Sequence, residues 1–223
     1  MSRPKPKIFG RYCFNMYQNT LAPKTKKLLD KLSANKKLLA DFRLAGGTAL
    51  ALQYGHRQSI DLDWFTIKHF DAKNIIQQLA AVGKFELLNE DTDTVDGVLD
   101  GVKITFLRYS DKFIEKPILY AGAATLATAR DIALMKLGAI SGRNTKKDFI
   151  DLFIFLNKEK ISLKNLVAQL IEQKSTINFD AMHLYKSLVY FEEADQTPMP
   201  KILTKISWLE VKKYFLKAVG QIN

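Results

Sequence analysis

The chain has 223 residues, of which 47% are hydrophobic, one cysteine and a formal net charge of +11. This composition supports one large domain or two small, closely packed ones and argues against disorder. The lone Cys13 excludes an internal disulfide framework and suits a reducing compartment, and no apolar run is long enough to cross a bilayer. The basic N-terminus lacks a signal-peptide core, so we expect a cytoplasmic protein that does not enter a membrane.

The positive charge is concentrated at the two ends of the chain. Residues 1–40 carry a net charge of +9, residues 41–111 carry −4 and residues 112–223 carry +6. An acidic middle between basic ends fits a metal-binding centre within a surface that attracts polyanions. Lysines that only keep the protein soluble are the alternative explanation.

The first half of the chain alternates short helix and strand patterns. In chain order these are a leucine-striped polar helix over 24–38, a strand stopped by a glycine pair, an apolar helix from Thr48 as N-cap to Gly55, a strand over 59–66, a helix between Asp71 and Gly83, and two or three antiparallel strands with turns at Asp96-Gly97 and Asp100-Gly101. In the first of these strands, Phe42 and Leu44 share one face. The first half is therefore predicted to be a mixed sheet with helices.

After Pro117 the spacing of apolar residues becomes helical. Residues 125–158 predict two helices broken near Gly142, and 162–174, 179–191 and 207–221 predict three more. The chain as a whole is predicted to be α+β, with a mixed-sheet domain over residues 1–115 and a helical bundle over residues 116–223.

The segment LAGGTALALQYGHRQSIDLDWF, residues 44–65, carries the clearest chemistry. Alternate strand residues face the same way about 7 Å apart, so Asp61 and Asp63 point together while Ile60, Leu62 and Trp64 face a core. Two like-charged carboxylates tolerate this arrangement if a divalent cation sits between them, and Mg²⁺ is usually shared between such carboxylates and substrate phosphates.

At the other end of this segment, a glycine pair and a threonine begin a helix. Gly46, Gly47 and Thr48 offer backbone N–H groups that suit a di- or triphosphate. A lone D-x-D is more often a solvated strand edge, and a glycine pair is usually only a turn. The combination of both in this order is much rarer and favours a nucleotide site.

These residues resemble the nucleotidyltransferase superfamily and, in detail, the AbiEii/AbiGii toxin family, which is tied to bacterial toxin–antitoxin and phage-abortive systems. The resemblance rests on GGTAL, HRQSIDLDWF and GVKITFLRY, followed by LATARDIALMKLGAISGRNTKKDFIDLFIFL, and covers roughly residues 42–156. It implies a nucleotidyltransferase-like first domain, an NTP substrate and an antitoxin partner.

The resemblance also implies roles for individual residues. Gly46, Gly47 and Thr48 would cradle phosphates, Asp61 and Asp63 would hold Mg²⁺, Lys136 would contact the triphosphate, and Asp148 would be a further catalytic or positioning acid. From the residues themselves, Arg143 and Lys147 follow nearby and would add substrate-binding charge, with Arg57 as a further substrate-binding residue. Lys136 lies on an otherwise apolar helix, so its ammonium either reaches solvent or meets an anion. Asp148 and Asp151 stand one helical turn apart and share a face, and the alternative for this block is a pair of ordinary helices joined by ion pairs. His56 is more often a structural hydrogen-bonder than a base, and Arg57 either orients phosphate or pairs with an aspartate.

One departure from the nucleotidyltransferase pattern concerns the third carboxylate, which many members place on the strand beside the D-x-D strand. The candidate strand VKITFLRY has no carboxylate: Lys103, Thr105 and Leu107 occupy one face, and Ile104 and Phe106 the other. Without a third acid, two-metal activation of the attacking hydroxyl is in doubt. Asp148 substitutes for it, or the protein works with one metal, or it is slow.

Three functions follow for comparison. The leading one is Mg²⁺-dependent transfer of a nucleotide from an NTP to a hydroxyl of RNA, including a tRNA 3′ end, or of a protein, by the toxin of a toxin–antitoxin system. The second is a nucleotide- or nucleic-acid-binding module that has lost catalysis. The third is an interaction protein whose helical half docks a partner, although the apolar stripes of those helices are more often core faces.

Overall fold

The computed structural model describes residues 16–174 and 180–221, so Cys13 lies outside the described residues. Within them, the centre of the first half is a seven-stranded mixed sheet. Its strands are β1 (Arg43–Leu44), β2 (Leu62–Thr66), β3 (Phe85–Asp91), β4 (Thr94–Leu99), β5 (Val102–Arg108), β6 (Ile118–Ala121) and β7 (Ala124–Leu126). They follow the order β3-β4-β5-β2-β1-β7-β6, with β2 parallel to β5, β1 parallel to β7 and the other neighbours antiparallel.

Ten helices surround and extend this sheet in the described part of the chain. They are α1 (Pro23–Ser33), α2 (Lys36–Leu39), α3 (Gly46–Tyr54), α4 (Ala72–Val82), α5 (Ala129–Arg143), α6 (Lys146–Glu159), α7 (Leu163–Gln173), α8 (Ala181–Val189), α9 (Glu192–Gln196) and α10 (Trp208–Gly220). None of them, over residues 16–174 and 180–221, combines the length and apolar character needed to cross a membrane. The predicted α+β class is confirmed.

Capping chemistry fixes several helix ends where the sequence predicts them. The Asp71 side chain accepts from the N–H of Lys73 at the start of α4, and Gly55, with φ of +68°, ends α3 in the left-handed conformation that glycine favours. The long helix predicted over 24–38 is interrupted because Asn35 caps a new helix by accepting from the N–H of Leu38. These caps set the direction in which each helix leaves the sheet.

The hydrophobic core has two parts that meet along α5. The first, between the sheet and α1, α3 and α4, includes Trp64 and Phe106, and the second, among the later helices, includes Phe149 and Phe215. Consecutive residues of α5 belong to different parts, since Ile132 lies in the first and the next residue in the second. The predicted division between residues 115 and 116 stays a prediction, although β6 and β7, which follow it, join the same sheet as β1.

Two features of the sheet differ from the sequence prediction. The turn predicted at Asp96-Gly97 is wrong, because both residues lie within β4, where a side chain at Gly97 would meet the Phe85 ring at 2.4 Å. The turn that joins β3 to β4 contains Asp93, with φ of +61°, whereas the turn at Asp100-Gly101 is confirmed. The strands β6 and β7 were not predicted, because this alanine-rich stretch becomes strand through pairing, β7 with β1 and β6 with β7.

Candidate active site

The two aspartates of the D-x-D motif lie at the start of β2, on the face of the sheet opposite the first core. Asp63 is the second residue of β2 and Asp61 comes just before it, and both are half-buried. Leu62 and Trp64 are fully buried on the other face as predicted, but Ile60 is 61% exposed, so its predicted place in the core is wrong because β2 begins only at Leu62. Among the described residues, neither carboxylate has a hydrogen bond or ion pair.

The glycine pair allows two side chains to lie directly against the start of α3. Gly46 has φ of +61°, and a Cβ there would lie 2.6 Å from Asp63 Oδ2. A Cβ on Gly47 would lie 2.0 Å from Arg57 Nη2. Only glycine fits either position, since one must adopt the left-handed conformation and both must make room for a charged group.

Thr48 is not the N-cap of α3, which is Ala45. The N-cap lies three residues earlier than predicted because Gly46 turns the chain into the helix. The Thr48 hydroxyl is buried, donates to the backbone carbonyl of Asp61 and lies 2.8 Å from Ser59 Oγ, so it fastens α3 to the segment that carries the aspartates. Since Ala45 has no side-chain acceptor, the first-turn N–H groups of α3 are left for another partner, beside Asp63.

The charge on Asp63 is unfavourable in this place. Burial raises the pKa of Asp63, and the negative charge of Asp61 raises it further. The charges of Lys136, Lys147 and Arg143 oppose this rise without cancelling it. A pair of acids in this state favours a bound cation.

Beneath the aspartates lies a buried charge cluster, formed by His56, Arg57, Lys136, Arg143, Asp148 and Asp151. Asp151, which has no exposed surface, accepts from Arg57 Nε at 2.6 Å and Nη2 at 2.8 Å, and lies 2.8 Å from both Lys136 Nζ and His56 Nε2. Burial alone would raise the pKa of Asp151, but the charges of Arg57 and Lys136 outweigh it and hold the pKa well below its ordinary value. The prediction that His56 is a structural hydrogen-bonder is confirmed, and Arg57 pairs with an aspartate.

Asp148 is the second anion of the buried charge cluster. It accepts from Lys136 Nζ at 2.7 Å, from Arg143 Nε and Nη2 at 2.8 and 2.9 Å, and from the Thr145 hydroxyl at 2.6 Å. Burial would raise its pKa, but Lys136 and Arg143 hold the pKa below the ordinary range. The ammonium of Lys136 therefore meets anions of its own chain, and the ion-paired helices considered from the sequence are present.

Two cations of the candidate site remain open to solvent. The side chain of Arg143 is 57% exposed, although one edge of its guanidinium is fixed on Asp148. Lys147 is exposed and has no ion-pair partner in the described ranges, and its charge reaches Asp63. Arg143 and Lys147 thus bring solvent-exposed positive charge close to Asp63.

The sheet also brings together residues to which the sequence assigned no joint role. Thr105 on β5 pairs in register with Asp63 on β2 on one side and with Asp96 on β4 on the other, so the three share a row on one face of the sheet. Alternation in VKITFLRY predicts only that Thr105 shares a face with Lys103 and Leu107, and the pairing of β2 with β5 turns that face to the site. The register with Asp96 depends on the turn at Asp100-Gly101. No group of three His, Cys, Asp or Glu side chains within residues 16–174 and 180–221 is arranged to hold a metal ion.

The residues present nevertheless fit a hard divalent cation. Asp61 and Asp63 supply two oxygen-bearing side chains without internal partners, and Gly46 lets the Asp63 carboxylate lie directly against the start of α3, where a Cβ would come within 2.6 Å of Oδ2. Mg²⁺ prefers oxygen ligands and is commonly bound through one or two carboxylates together with substrate phosphates. Asp61 and Asp63 would hold it.

The D-x-D strand beside a glycine-started helix on a mixed sheet is the arrangement that the resemblance to nucleotidyltransferases implied, and the family match places the chain in that class. A family model described as "Nucleotidyl transferase AbiEii toxin, Type IV TA system" matches residues 27–116. Over 184 residues the chain is 38% identical to the uncharacterized protein aq_aa25 of Aquifex aeolicus, covering 81% of this chain and 87% of that protein. The chain belongs to the AbiEii family of nucleotidyltransferase toxins, as the sequence resemblance implied.

Solved structures from Helicobacter pylori are also similar. The crystal structure of JHP933 has a TM-score of 0.44 and 20% identity, covering 91% of this chain and 98% of that one. A second Helicobacter pylori structure has a TM-score of 0.46 and 18% identity, covering 91% and 99%.

Proposed function

We propose that this nucleotidyltransferase is the toxin of a toxin–antitoxin pair and transfers a nucleotide from an NTP to a hydroxyl group of RNA, such as a tRNA 3′ end. The observation that carries this proposal is the pair of partnerless carboxylates, Asp61 and Asp63, beside the glycine start of α3. The basic ends of the chain, with net charges of +9 and +6, favour a polyanionic acceptor.

Asp61 and Asp63 hold Mg²⁺ in this proposal. When bound, the cation neutralises charge on the phosphates and aligns the α-phosphate with the attacking hydroxyl. The first-turn N–H groups of Gly46, Gly47 and Thr48 donate to the β- and γ-phosphates, because the positive end of a helix and close backbone approach favour such anions.

Arg143 and Lys147 bind the same phosphates from the other side. The contact with Asp148 fixes the Arg143 guanidinium in advance, which lowers the entropy lost when it binds an anion. Lys136, Arg57 and Asp148 act from within the buried charge cluster. Asp148 holds Arg143 in place, Arg57 lies against the glycine start of α3, and the positive charge of Lys136 reaches Asp63.

The reaction is a displacement at phosphorus. The acceptor hydroxyl oxygen forms a bond to the α-phosphorus, the bond from the α-phosphorus to the bridging oxygen breaks, and pyrophosphate leaves. The hydroxyl proton passes to solvent water. Arg143, Lys147 and the α3 N–H groups stabilise the negative charge that develops on the leaving pyrophosphate.

The test is transfer of label from each α-labelled NTP to total RNA or to protein in the presence of Mg²⁺. The variants are Asp61→Asn and Asp63→Asn, and the control is Asp41→Asn, which removes an exposed carboxylate that pairs only with Lys68. We expect labelled RNA with the native protein and the control, and none with either site variant. Label on protein alone would replace the RNA acceptor with a protein hydroxyl.

The second candidate is a binding module without catalysis, favoured by the absence of a third carboxylate next to Asp63 in the described residues. NTP binding that depends on Asp61 and Asp63, without transfer to RNA or protein, would support that module and refute the enzyme. A gene for the antitoxin beside the toxin gene, whose product relieves growth inhibition, would support the toxin assignment.

A further inference from the structure

The row formed by Asp63, Thr105 and Asp96 crosses three adjacent strands on the face that carries the site. Asp63 pairs with Thr105 across the parallel β2–β5 ladder, and Thr105 pairs with Asp96 across the antiparallel β4–β5 ladder. The Thr105 hydroxyl donates to Asp96 Oδ1 at 2.7 Å, and Thr105 is only 8% exposed. The hydroxyl proton is therefore directed away from Asp63.

A hydroxyl that donates its proton on one side presents its lone pairs elsewhere. Serine and threonine hydroxyls are good ligands for Mg²⁺ in nucleotide-binding sites. Because the proton of Thr105 is held by Asp96, the oxygen of Thr105 is an acceptor toward the side where Asp63 stands.

The spacing of the strands allows Thr105 to reach the cation but keeps Asp96 back. Adjacent strands lie about 4.8 Å apart. Two oxygens bound to one Mg²⁺ at about 2.1 Å are separated by about 3 to 4 Å, so side chains on neighbouring strands can share a cation. Asp96 lies two strands from Asp63, about 10 Å away at the backbone, and acts through Thr105.

We infer that Thr105, oriented by Asp96, supplies the third oxygen of the cation site in place of the missing third carboxylate, directly or through one bound water. Thr105 is the ligand, and Asp96 is a positioning residue that fixes the direction of the hydroxyl. The inference rests on the proposed function, because it assumes a divalent cation on Asp61 and Asp63. The alternative is that Thr105 and Asp96 form a cross-strand pair that only stabilises the sheet.

The test is Mn²⁺ binding to the full chain without nucleotide, measured from the loss of the free-ion electron paramagnetic resonance signal. The variants are Thr105→Val, Asp96→Ala and the double variant, with Thr105→Ser as the variant that keeps the hydroxyl. Thr125→Val is the matched control, since Thr125 is a half-buried strand threonine of the same sheet whose hydroxyl bonds to a backbone carbonyl, that of Phe42. Thermal unfolding in EDTA checks that each variant is folded.

We expect Thr105→Val and Asp96→Ala each to weaken Mn²⁺ binding about tenfold or more. The double variant should bind no more weakly than the weaker single variant, because both changes remove the same ligand. Thr105→Ser and Thr125→Val should bind like the native protein.

Three results would overturn the inference, and they separate it from the proposed function. Native affinity in both single variants, with binding lost in Asp63→Asn, would leave the cation site standing and remove Thr105 and Asp96 from it. Weak Mn²⁺ binding in Asp96→Ala, together with native affinity in Thr105→Val, would mean that Asp96 supports the cation site without Thr105. No Mn²⁺ binding by the native chain, with or without NTP, would refute the cation itself and the proposed function with it.

Discussion

Neutralising Asp151 by Asp151→Asn should destabilise the protein severely, because this residue holds the buried charge cluster together. Asp151 has no exposed surface and receives four contacts of 2.6 to 2.8 Å from Arg57, Lys136 and His56. The substitution preserves shape but removes the one carboxylate that pairs with Arg57, whereas Lys136 keeps Asp148.

The expected loss follows from leaving a buried cation unpaired. Removing one partner of a buried ion pair costs about 3–5 kcal/mol. For a chain of this length that loss lowers the midpoint of thermal unfolding by about 6–20 °C. The measurement is urea unfolding at pH 7 followed by circular dichroism, with Asp30→Asn as the control, because Asp30 forms an exposed helix pair with Lys26 that is worth only a few tenths of a kcal/mol.

The pH dependence provides a second measurement on the same variant. Since the folded protein holds the pKa of Asp151 well below its ordinary value, the stabilisation is fully present above the unfolded pKa of about 3.9 and is lost as the pH falls toward the folded pKa. The difference between native protein and Asp151→Asn should therefore narrow below about pH 4. A loss of less than about 1 kcal/mol at pH 7, or a difference that does not change with acid, would refute the structural role of the cluster.

Three further predictions concern the site above the buried charge cluster. Burial and the neighbouring Asp61 raise the pKa of Asp63, so the folded protein loses stability as the pH rises from the unfolded pKa toward the folded pKa. Asp63→Asn should therefore raise the midpoint of thermal unfolding at pH 7 in EDTA. The same variant should lose any stabilisation by Mg²⁺, and scanning fluorimetry measures both effects. Gly47→Ala should cost about 2 kcal/mol or more in urea unfolding, because the new Cβ would displace the Arg57 guanidinium, whereas Gly138→Ala, in open space within α5, should be neutral or stabilising by up to about 1 kcal/mol. Lys147→Gln should raise the KM for NTP several-fold and leave the free energy of unfolding unchanged. The control Lys158→Gln, at the far end of α6, should change neither quantity.

The sequence predicts the parts of the site that depend on local pattern. Alternation places Asp61 and Asp63 on the same side of the chain at the start of β2. The apolar helix around Lys136 indicates that its ammonium either reaches solvent or meets an anion, and in the structure it meets Asp148. Helix ends marked by Asp71 and Gly55 were also predicted, because caps depend on a few adjacent residues.

The parts that sequence did not predict depend on contacts between distant segments. Gly97 indicates a turn in isolation, but in the fold it makes room for the Phe85 ring within a strand. The choice of partner for Lys136 requires α6 to lie across α5, and the row from Asp63 to Asp96 requires two strand registers at once. Neither arrangement leaves a local signal.

The buried charge cluster explains how the chain tolerates two partnerless acids at its surface. Arg57, Lys136 and Arg143 bring three positive charges, and Asp148 and Asp151 cancel only two of them. The remaining positive field reaches Asp63 through Lys136 and Arg143 and partly offsets its repulsion from Asp61. The buried acids hold these cations in place so that they cannot collapse onto Asp61 and Asp63 as ion pairs, and the two carboxylates therefore stay available for a divalent cation.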